Sequence, residues 1–443
     1  MRKRAAAAAV VVVLLASTAC GPALPISSPP FSLTNAPPNE VSGLDIPPSR
    51  IDDAIAKVGG LVSDLMKNTG IPGLAVAIVR GGTTVYAKGF GVRDASKGDG
   101  QGNKVDADTV FQLASVSKSV GATVVAHEVT DNVIGWDTSV VSKLPWFALS
   151  DPYVTSHVTI ADLYSHRSGL PDHAGDKLED LGYGRTQTLE RLKYLPLAPF
   201  RISHAYMAHW LTMVMANGTY DGQRITSPEA LLPAFTPQVI STAAASPKAR
   251  AGLYGYGFNT SVTSSGRTEY SHSGGFGSGA ATNFAVLPSE DIGIIALTNA
   301  APYGAPEPLT AQFLDLVQYG QVREDWASLY NRALAPMNNP EGSLVGKQPP
   351  ANPAPERPLR DYAGVYANDY WGPATVTESE GGLQLSLGPN HQTFNLNHWD
   401  GDTFRFTLTS ENGPAGTISK AVFSGATLNL EYFDSDKLGT FTR

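Results

Sequence analysis

The sequence predicts an α/β protein built on an antiparallel sheet flanked by helices, followed by a small all-β domain. Short β-rich runs occur at residues 73–92 and again at 281–298, with mostly helical and loop segments between them. Strands at both ends of one region indicate a single sheet that is completed late in the chain. Beyond residue 358, short alternating runs separated by Gly, Asp and Asn are typical of a β-barrel or sandwich.

Length and composition indicate a globular protein with more than one domain. The chain has 443 residues, which is too long for one small domain and suggests two, one of them large. A hydrophobic content of 42% with 16% charged residues is sufficient for a packed core. The net charge is −8, and no dense stripe of Lys and Arg occurs. This distribution argues against a nucleic-acid partner.

The first 20 residues are predicted to be a signal peptide. MRKR is a short basic segment, and the apolar run AAAAAVVVVLLASTA that follows is too short for a comfortable membrane span. Cys20, the only cysteine in the chain, comes directly after small residues and resembles a bacterial lipoprotein processing site, although Ser17 stands where Leu is usual. The alternative is a plain secretory signal cut near Ala19. Either interpretation predicts export, with membrane contact only through a lipid anchor.

Proline-rich stretches divide the rest of the chain. Residues 21–48 are predicted to be an extended tether, 49–337 the main domain, 338–358 a linker and 359–443 the β-rich domain. Within the main domain, a helix is expected over residues 51–67 with Ser49 as its N-cap. A β-hairpin is expected over residues 73–92, because Gly81-Gly82 separates two β-rich runs.

A serine and a lysine at helical spacing form the first candidate for chemistry. The run FQLASVSKSV places Lys118 three residues after Ser115, which puts both on one face of a helix. A serine hydroxyl is a weak nucleophile unless a neighbouring group takes its proton, and a neutral amine can do so. The alternative is a surface helix that happens to carry both residues.

A glycine-rich strand entry is the second candidate. In YSHSGGFGSGA, His272 and Ser273 precede Gly274 and Gly275, and glycines allow a ligand to approach the backbone closely. The alternative is the glycine-rich edge of a strand with an ordinary exposed histidine.

These segments, taken in order, resemble the serine β-lactamases and DD-peptidases (penicillin-binding protein-like), especially the class C-like branch with its related esterases. The resemblance covers roughly residues 50–325 and implies a β-lactamase/transpeptidase-like fold. FQLASVSK is similar to the family's nucleophile motif, and His272-Ser273-Gly274 to its third motif, K-T-G or H-x-G. Three further segments carry the resemblance: PGLAVAIVR, VTIADLYSHRSGLP and the turn PSED. The C-terminal β-rich domain resembles one that is appended to many members.

The resemblance implies roles for individual residues. Ser115 would attack a carbonyl to give an acyl-enzyme, and Lys118 would activate Ser115 directly or by tuning a neighbouring base. Backbone N–H groups of Ser115 and Gly275 would bind the oxyanion. His272 would orient the substrate or its leaving group, and Ser273 and Gly274 would line the substrate site. Because unperturbed imidazole is mostly neutral at pH 7, His272 favours small esters over anionic substrates.

The family's second motif, Y-x-N, whose tyrosine is a catalytic residue that acts as or near the general base, is altered in this chain. FRISHAY assigns Tyr206 to the motif's tyrosine, but Ala208 stands at the asparagine position. The residues that follow resemble a helix that normally lies much further along the chain, which suggests an internal deletion between Tyr206 and Met207. Such a deletion would remove part of the helical roof over the cleft and expose an acyl-enzyme to water.

Other catalytic motifs are missing from the sequence. No G-x-S-x-G elbow, H-E-x-x-H zinc motif or phosphate-binding loop occurs. The sequence therefore predicts an exported serine hydrolase without cofactor or metal, acting on an ester, amide or β-lactam, peptidoglycan peptides included. The alternative is a catalytically impaired envelope lipoprotein of the same fold that binds a cell-wall or protein partner.

Overall fold

An eight-stranded antiparallel sheet forms the centre of the main domain. The computed structural model describes residues 37–443 except 38, 99, 107, 198–207, 303 and 380, and their contacts divide the chain into Met1–Val41 and Ser42–Arg443. The strands of the main domain are β1 Gly73–Arg80, β2 Thr83–Gly91, β3 Thr219–Tyr220, β4 Gln223–Arg224, β5 Val239–Thr242, β6 Gly252–Tyr254, β7 Asn259–Val262, β8 Thr268–Phe276, β9 Ala280–Leu287 and β10 Ile292–Thr298. The sheet order is β2-β1-β10-β9-β8-β7-β6-β5, while β3 and β4 form a separate hairpin. Pairing of β1 with β10 confirms the prediction of a sheet completed late in the chain.

The main domain also contains α-helices, and some of them cover the two faces of this sheet. The helices are α1 Pro48–Thr69, α2 Ser117–Thr130, α3 Val140–Lys143, α4 Pro152–His157, α5 Ile160–Tyr164, α6 Asp176–Asp180, α7 Arg185–Arg191, α8 Ala208–Met215, α9 Pro228–Phe235, α10 Pro306–Tyr319 and α11 Trp326–Leu334. α1 and α10 pack on one face, whereas α2, α8 and α9 pack on the other. Strand alternation divides the apolar residues accordingly: Ile292 and Ile294 of β10 face the first layer, and Ile295 faces the second.

Two local predictions can be compared directly with the structure. The β1–β2 hairpin is confirmed, and Gly81 and Gly82 have φ values of 57° and 70°, which the two-residue turn requires. The helix predicted over residues 51–67 is also present, but Ser49 is not its N-cap. Helix α1 begins at Pro48, and its N-cap is Pro47, which has no side-chain capping hydrogen bond. Proline at the first helical position has no N–H to satisfy and a φ that suits the helix, so the chain becomes helical before Ser49.

The C-terminal region forms a second, barrel-like sheet of eight sequential antiparallel strands. They are β11 Gly364–Tyr366, β12 Ala374–Ser379, β13 Gly382–Leu387, β14 Gln392–Asp400, β15 Thr403–Leu408, β16 Thr417–Ser424, β17 Thr427–Leu430 and β18 Thr440–Thr442. The first and last strands meet through Ala367 and Thr442, whose backbones exchange hydrogen bonds of 2.7 and 2.9 Å. The predicted all-β, barrel-like domain is confirmed.

One hydrophobic core joins the barrel to the α3–α7 region. Phe147, Leu178 and Leu181 are buried together with the barrel residues Trp371 and Phe433. The Tyr183 hydroxyl donates a 2.9 Å hydrogen bond to the Trp371 carbonyl, and the Lys177 ammonium donates one of 2.8 Å to the Tyr432 carbonyl. The barrel is therefore packed into the main domain along this region.

The segment between the two domains contains neither helix nor strand from residue 339 to 358, all of which the structure describes. Its backbone nevertheless binds the barrel: the Ala354 N–H donates to the Asp400 carboxylate at 2.7 Å, and the Glu341 carbonyl accepts from the Ile418 N–H at 2.9 Å. Across the described part of the chain, none of the helices has both the length and the apolar character needed to cross a bilayer.

Loss of the Tyr183 hydroxyl should destabilise the junction between barrel and main domain. We expect Tyr183→Phe to lower the free energy of unfolding by about 1–3 kcal/mol, because the Trp371 carbonyl would remain buried without a donor. Tyr153→Phe is the control, since Tyr153 is 69% exposed, and its effect should stay within about 0.5 kcal/mol. Denaturant titration of both variants measures the difference, and equal effects would contradict the prediction.

Candidate active site

Ser115 lies in a tight turn directly before α2, and not within the helix as its spacing to Lys118 predicts. The N–H groups of Val116 and Ser117 bond to the carbonyls of Leu113 and Ala114, each at 3.2 Å. Ala114 adopts a left-handed conformation with φ 41°, which is unfavourable for a residue with a Cβ. The strained residue next to Ser115 places the half-buried serine at the N-terminal end of α2, where the helix dipole favours negative charge.

Strand β8 touches this turn backbone to backbone. A Cβ on Gly274 would lie 2.7 Å from the Ser115 nitrogen and 2.9 Å from the Leu113 carbonyl oxygen, so only glycine fits at this position. The Thr282 hydroxyl on neighbouring β9 donates to the same Leu113 carbonyl at 3.1 Å. The nucleophile motif and the glycine-rich motif, which are far apart in the sequence, are therefore in direct contact.

Part of β8 has an open edge beside Ser115. Strand β7 pairs with β8 only from Thr268 to Ser271, and no strand among the described residues pairs with that edge further along. Gly275 lies on this open stretch and pairs with Ala281 of β9. Successive N–H groups of a strand point to opposite edges, so this stretch presents free donors to a ligand. The role of the Ser115 and Gly275 N–H groups in binding an oxyanion stays a prediction that this geometry permits.

Lys118 is in the first turn of α2 and is half-buried. Burial lowers its pKa from 10.5 to about 8, while the carboxylate of Asp176 in α6 acts in the opposite direction. The turn between β6 and β7 packs against this part of α2: Gly257 has φ 76°, and a Cβ there would lie 2.5 Å from the Lys118 carbonyl oxygen. The Ser119 hydroxyl also donates to the Gly257 carbonyl. An amine with a pKa near 8 is partly neutral at physiological pH and can accept a proton.

His272 is on the same face of β8 as Gly274 but is fully buried. Its Nε2 lies 3.3 Å from the Tyr254 hydroxyl, and its Nδ1 lies 2.8 Å from the Ser273 carbonyl oxygen. Burial also raises the pKa of the Tyr254 hydroxyl well above its usual range. The sequence alternative of an ordinary exposed histidine is wrong, because His272 has no exposed surface. Its predicted contact with substrate stays a prediction.

The side chain of Ser273 is on the opposite face of β8. Its hydroxyl accepts a 2.8 Å hydrogen bond from the Asn283 amide and also bonds the carboxyl of Glu307, the second residue of α10. Burial raises the pKa of Glu307 to about 7. The structure therefore brings Gly274, but not the side chain of Ser273, next to Ser115.

Two predicted residues lie outside the described part of the chain: Tyr206 in the altered Y-x-N motif, and Cys20. The sequence analysis missed three residues near the site. Asp176 and Tyr254 are described above, and the carboxylate of Glu411 accepts a hydrogen bond from the N–H of Gly277, two residues beyond Gly275. Only Tyr254 carried a signal, since it lies in the glycine-rich run GLYGYGF. In the described residues, no group of three or more His, Cys, Asp or Glu side chains could hold a metal ion.

Two models of known protein families match this chain. The model of the family described as Beta-lactamase matches residues 58–216 and 201–319. A second model, described as a domain of unknown function (DUF3471), matches residues 348–435. The two segments of the first match overlap in the region of the altered Y-x-N motif.

Relatives with known descriptions match shorter regions. Unguisins hydrolase ungD of Aspergillus violaceofuscus is 30% identical over 155 residues, which are 33% of this chain and 26% of that protein. Penicillin-binding protein 4 of Amycolatopsis lactamdurans is 40% identical over 115 residues, 26% of this chain and 28% of that protein. The chain thus spans about a quarter of the length of the curated relatives it matches.

A solved structure matches a shorter part of the chain. The crystal structure of the C-terminal domain of a penicillin binding protein is 72% identical and covers 23% of this chain and 100% of that chain, with a TM-score of 0.21. The main domain is assigned by the first family model, whose matched segments cover more than half of the chain and include Ser115, Lys118 and Gly274. The chain therefore belongs to the beta-lactamase family of serine hydrolase-like proteins.

Proposed function

We propose that this protein is an exported serine hydrolase that cleaves ester or amide substrates through an acyl-enzyme on Ser115. The single observation that carries the proposal is the contact of Gly274 with the Ser115 backbone. A Cβ on Gly274 would lie only 2.7 Å from the Ser115 nitrogen. This contact sets the open edge of β8 beside the hydroxyl at the N-terminal end of α2. A carbonyl held between them meets a nucleophile and N–H donors together.

The proposed reaction uses only side chains and backbone of this chain. The Ser115 oxygen attacks the substrate carbonyl carbon, and its proton passes to the neutral Lys118 amine. The tetrahedral oxyanion is stabilised by the N–H groups of Ser115 and Gly275. The bond to the leaving group then breaks and the leaving group takes the proton. Water hydrolyses the ester on Ser115 and regenerates the enzyme.

Neutral esters are the favoured substrate class within this proposal. The position that the family's third motif gives to lysine holds His272, which is buried and engaged by Tyr254 and by the Ser273 backbone. A histidine in this setting is a weaker partner for a substrate carboxylate than a lysine. We therefore expect small esters to react faster than penicillins or peptides with a free carboxylate, although β-lactams and peptidoglycan-like peptides remain in the proposed range.

The altered Y-x-N region favours a second candidate function. Ala208 provides no amide to bond the substrate or to order Lys118. A protein of this fold without turnover would act as an envelope lipoprotein that binds a cell-wall or protein partner. The labelling experiment below separates the two functions.

Ser115→Ala should abolish covalent labelling. We expect wild-type protein incubated with a fluorophosphonate to gain one adduct on Ser115, and the variant to gain none, because the attacking oxygen is gone. Intact-mass spectrometry with peptide mapping measures the adduct, and a parallel penicillin incubation tests β-lactam recognition. Ser142→Ala, which removes an exposed hydroxyl, is the control and should label normally. If folded wild-type protein forms no adduct, the binding function replaces the hydrolase.

The rate of acylation should follow the protonation of Lys118. Below pH 8 the amine is mostly protonated and cannot take the Ser115 proton, so we expect the labelling rate to rise with pH and level off above about 8. Asp176→Asn removes a charge that favours the protonated amine, so the inflection should move to lower pH. Asp137→Asn, an exposed carboxylate elsewhere, should leave the profile unchanged. A profile without inflection would contradict the role of Lys118 as base.

Export and lipid anchoring are part of the proposal. The basic and apolar N-terminal segment and the small residues before Cys20 support both. When the full chain is expressed in a bacterium, we expect the mature wild-type protein to enter the detergent phase of a phase-partition assay, whereas Cys20→Ala should not. Ser17→Ala is the control that keeps the thiol. Wild-type protein recovered only from the aqueous phase would instead indicate a plain secretory signal.

A further inference from the structure

A carboxylate from the C-terminal barrel binds the tip of the β8–β9 hairpin. The Gly277 N–H donates to Oε1 of Glu411 at 2.7 Å, and the Ser278 N–H donates to Oε2 at 3.1 Å. Two successive backbone N–H groups that face one anion form a nest, which is a strong arrangement for a carboxylate. The hairpin tip is thus held by a residue more than 130 positions away, across the boundary between the two domains.

The loop that carries Glu411 is itself fixed to the main domain. One carboxylate oxygen of Asp180, the last residue of α6, accepts a 2.8 Å bond from the Ser410 hydroxyl and a 3.0 Å bond from the Asn412 amide. Within the loop, the Ser410 N–H donates to the Gly413 carbonyl at 3.0 Å. Glu411 therefore projects from a loop that is bound on both sides, and it can hold the hairpin tip in one position.

The hairpin tip determines where Gly275 lies. Gly277 is two residues beyond Gly275, in the turn directly after β8, and β7 does not pair with the last part of that strand. Along this stretch the backbone is limited by β9, by the contact of Gly274 with the Ser115 turn, and by Pro302, which lies 2.8 Å from a Cβ on Gly275. An oxyanion donor is effective only when it lies about 2.7–3.1 Å from the developing charge. A small movement of the tip would consequently change this distance.

We propose that Glu411 is a positioning residue for acyl transfer, which holds the Gly275 N–H at its working place through the hairpin tip. The inference rests on the proposed acyl-enzyme at Ser115 and assigns the barrel a part in that chemistry. Glu411 does not touch the substrate; it acts through Gly277 and Ser278. The same carboxylate occupies the N–H groups of Gly277 and Ser278, so a substrate carboxylate cannot bind to them.

The competing interpretation is a tie that only stabilises the domain junction. Such a tie would change the unfolding transition without changing the turnover of folded protein. A positioning role would instead lower kcat for folded protein and leave KM nearly unchanged, because oxyanion contacts are formed in the transition state. The two interpretations therefore differ in kinetics and not only in stability.

Kinetics of Glu411 variants in the full mature chain test the proposal. We expect Glu411→Ala to lower kcat for a short-chain ester about tenfold and to leave KM within about twofold of wild type. The loss is smaller than the roughly 10²- to 10³-fold loss that follows removal of an oxyanion donor, because the Gly275 N–H is displaced and not removed. Glu411→Gln, whose amide oxygen still accepts one N–H bond, should fall between alanine and wild type. Glu378→Ala removes an exposed barrel carboxylate in β12 and should match wild type.

Exchange of the Gly277 and Ser278 amide protons, followed by NMR, gives a readout that does not depend on activity. It should accelerate in Glu411→Ala and stay unchanged in Glu378→Ala. Faster exchange with unchanged kcat would overturn the positioning role and leave the proposed function intact. Equal losses in Glu411→Ala and Glu411→Gln, in proportion to unfolded protein, would overturn it too. Wild-type protein that forms no Ser115 adduct would overturn the proposed function, and this inference with it.

Discussion

The close approach of β8 to the turn before α2 is the constraint on which the rest of the site depends. A side chain at Gly274 would meet backbone atoms of Leu113 and Ser115 at 2.9 and 2.7 Å, and backbone cannot move aside as a flexible side chain can. Both partners are fixed from behind: β8 by β9, and α2 by the Gly257 turn. The serine, the helix N-terminus and the open strand edge are therefore held together by packing rather than by any one polar contact.

The barrel contributes to this arrangement from the other side. Asp180, the last residue of α6, accepts a hydrogen bond from Ser410 in the barrel loop. Asp176, the first residue of the same helix, raises the pKa of Lys118. The Tyr370 hydroxyl of the barrel also bonds the backbone of Gly175, directly before α6. The barrel thus supports a short helix that five residues alone would not keep folded. The electrostatics of Lys118 and the position of the hairpin tip both depend on contacts that cross the domain boundary.

Sequence alone was sufficient where local rules determine the structure. The Gly81-Gly82 turn and the alternating strands of the barrel have short-range signals, and the structure contains both elements. It was insufficient where distant contacts decide. His272 is buried and contacts Tyr254, which lies 18 positions away. Two other errors are local: helix α1 already begins at Pro48, before Ser49, and the left-handed conformation of Ala114 places Ser115 in a turn before α2. Asp176 and Glu411 have no local signal, since their partners lie far away in the chain.

The burial of Lys118 connects stability with chemistry. Lowering the pKa from 10.5 to about 8 means that the protonated amine is less favourable in the folded protein by roughly 3 kcal/mol. Because the unfolded chain binds the proton more tightly, this penalty is fully present below pH 8 and is relieved as the pH rises from about 8 to 10.5. Asp176 raises the pKa of Lys118, so it reduces this penalty but also lowers the fraction of neutral amine. The remaining free-energy cost must be offset by the burial of apolar side chains elsewhere. Leu178 and Leu181, which follow Asp176 in the α6 region, are buried in the core shared with the barrel and supply such burial. The pKa of Lys118 therefore depends on the packing of α6 against the C-terminal barrel, because that packing holds Asp176 in place beside the amine.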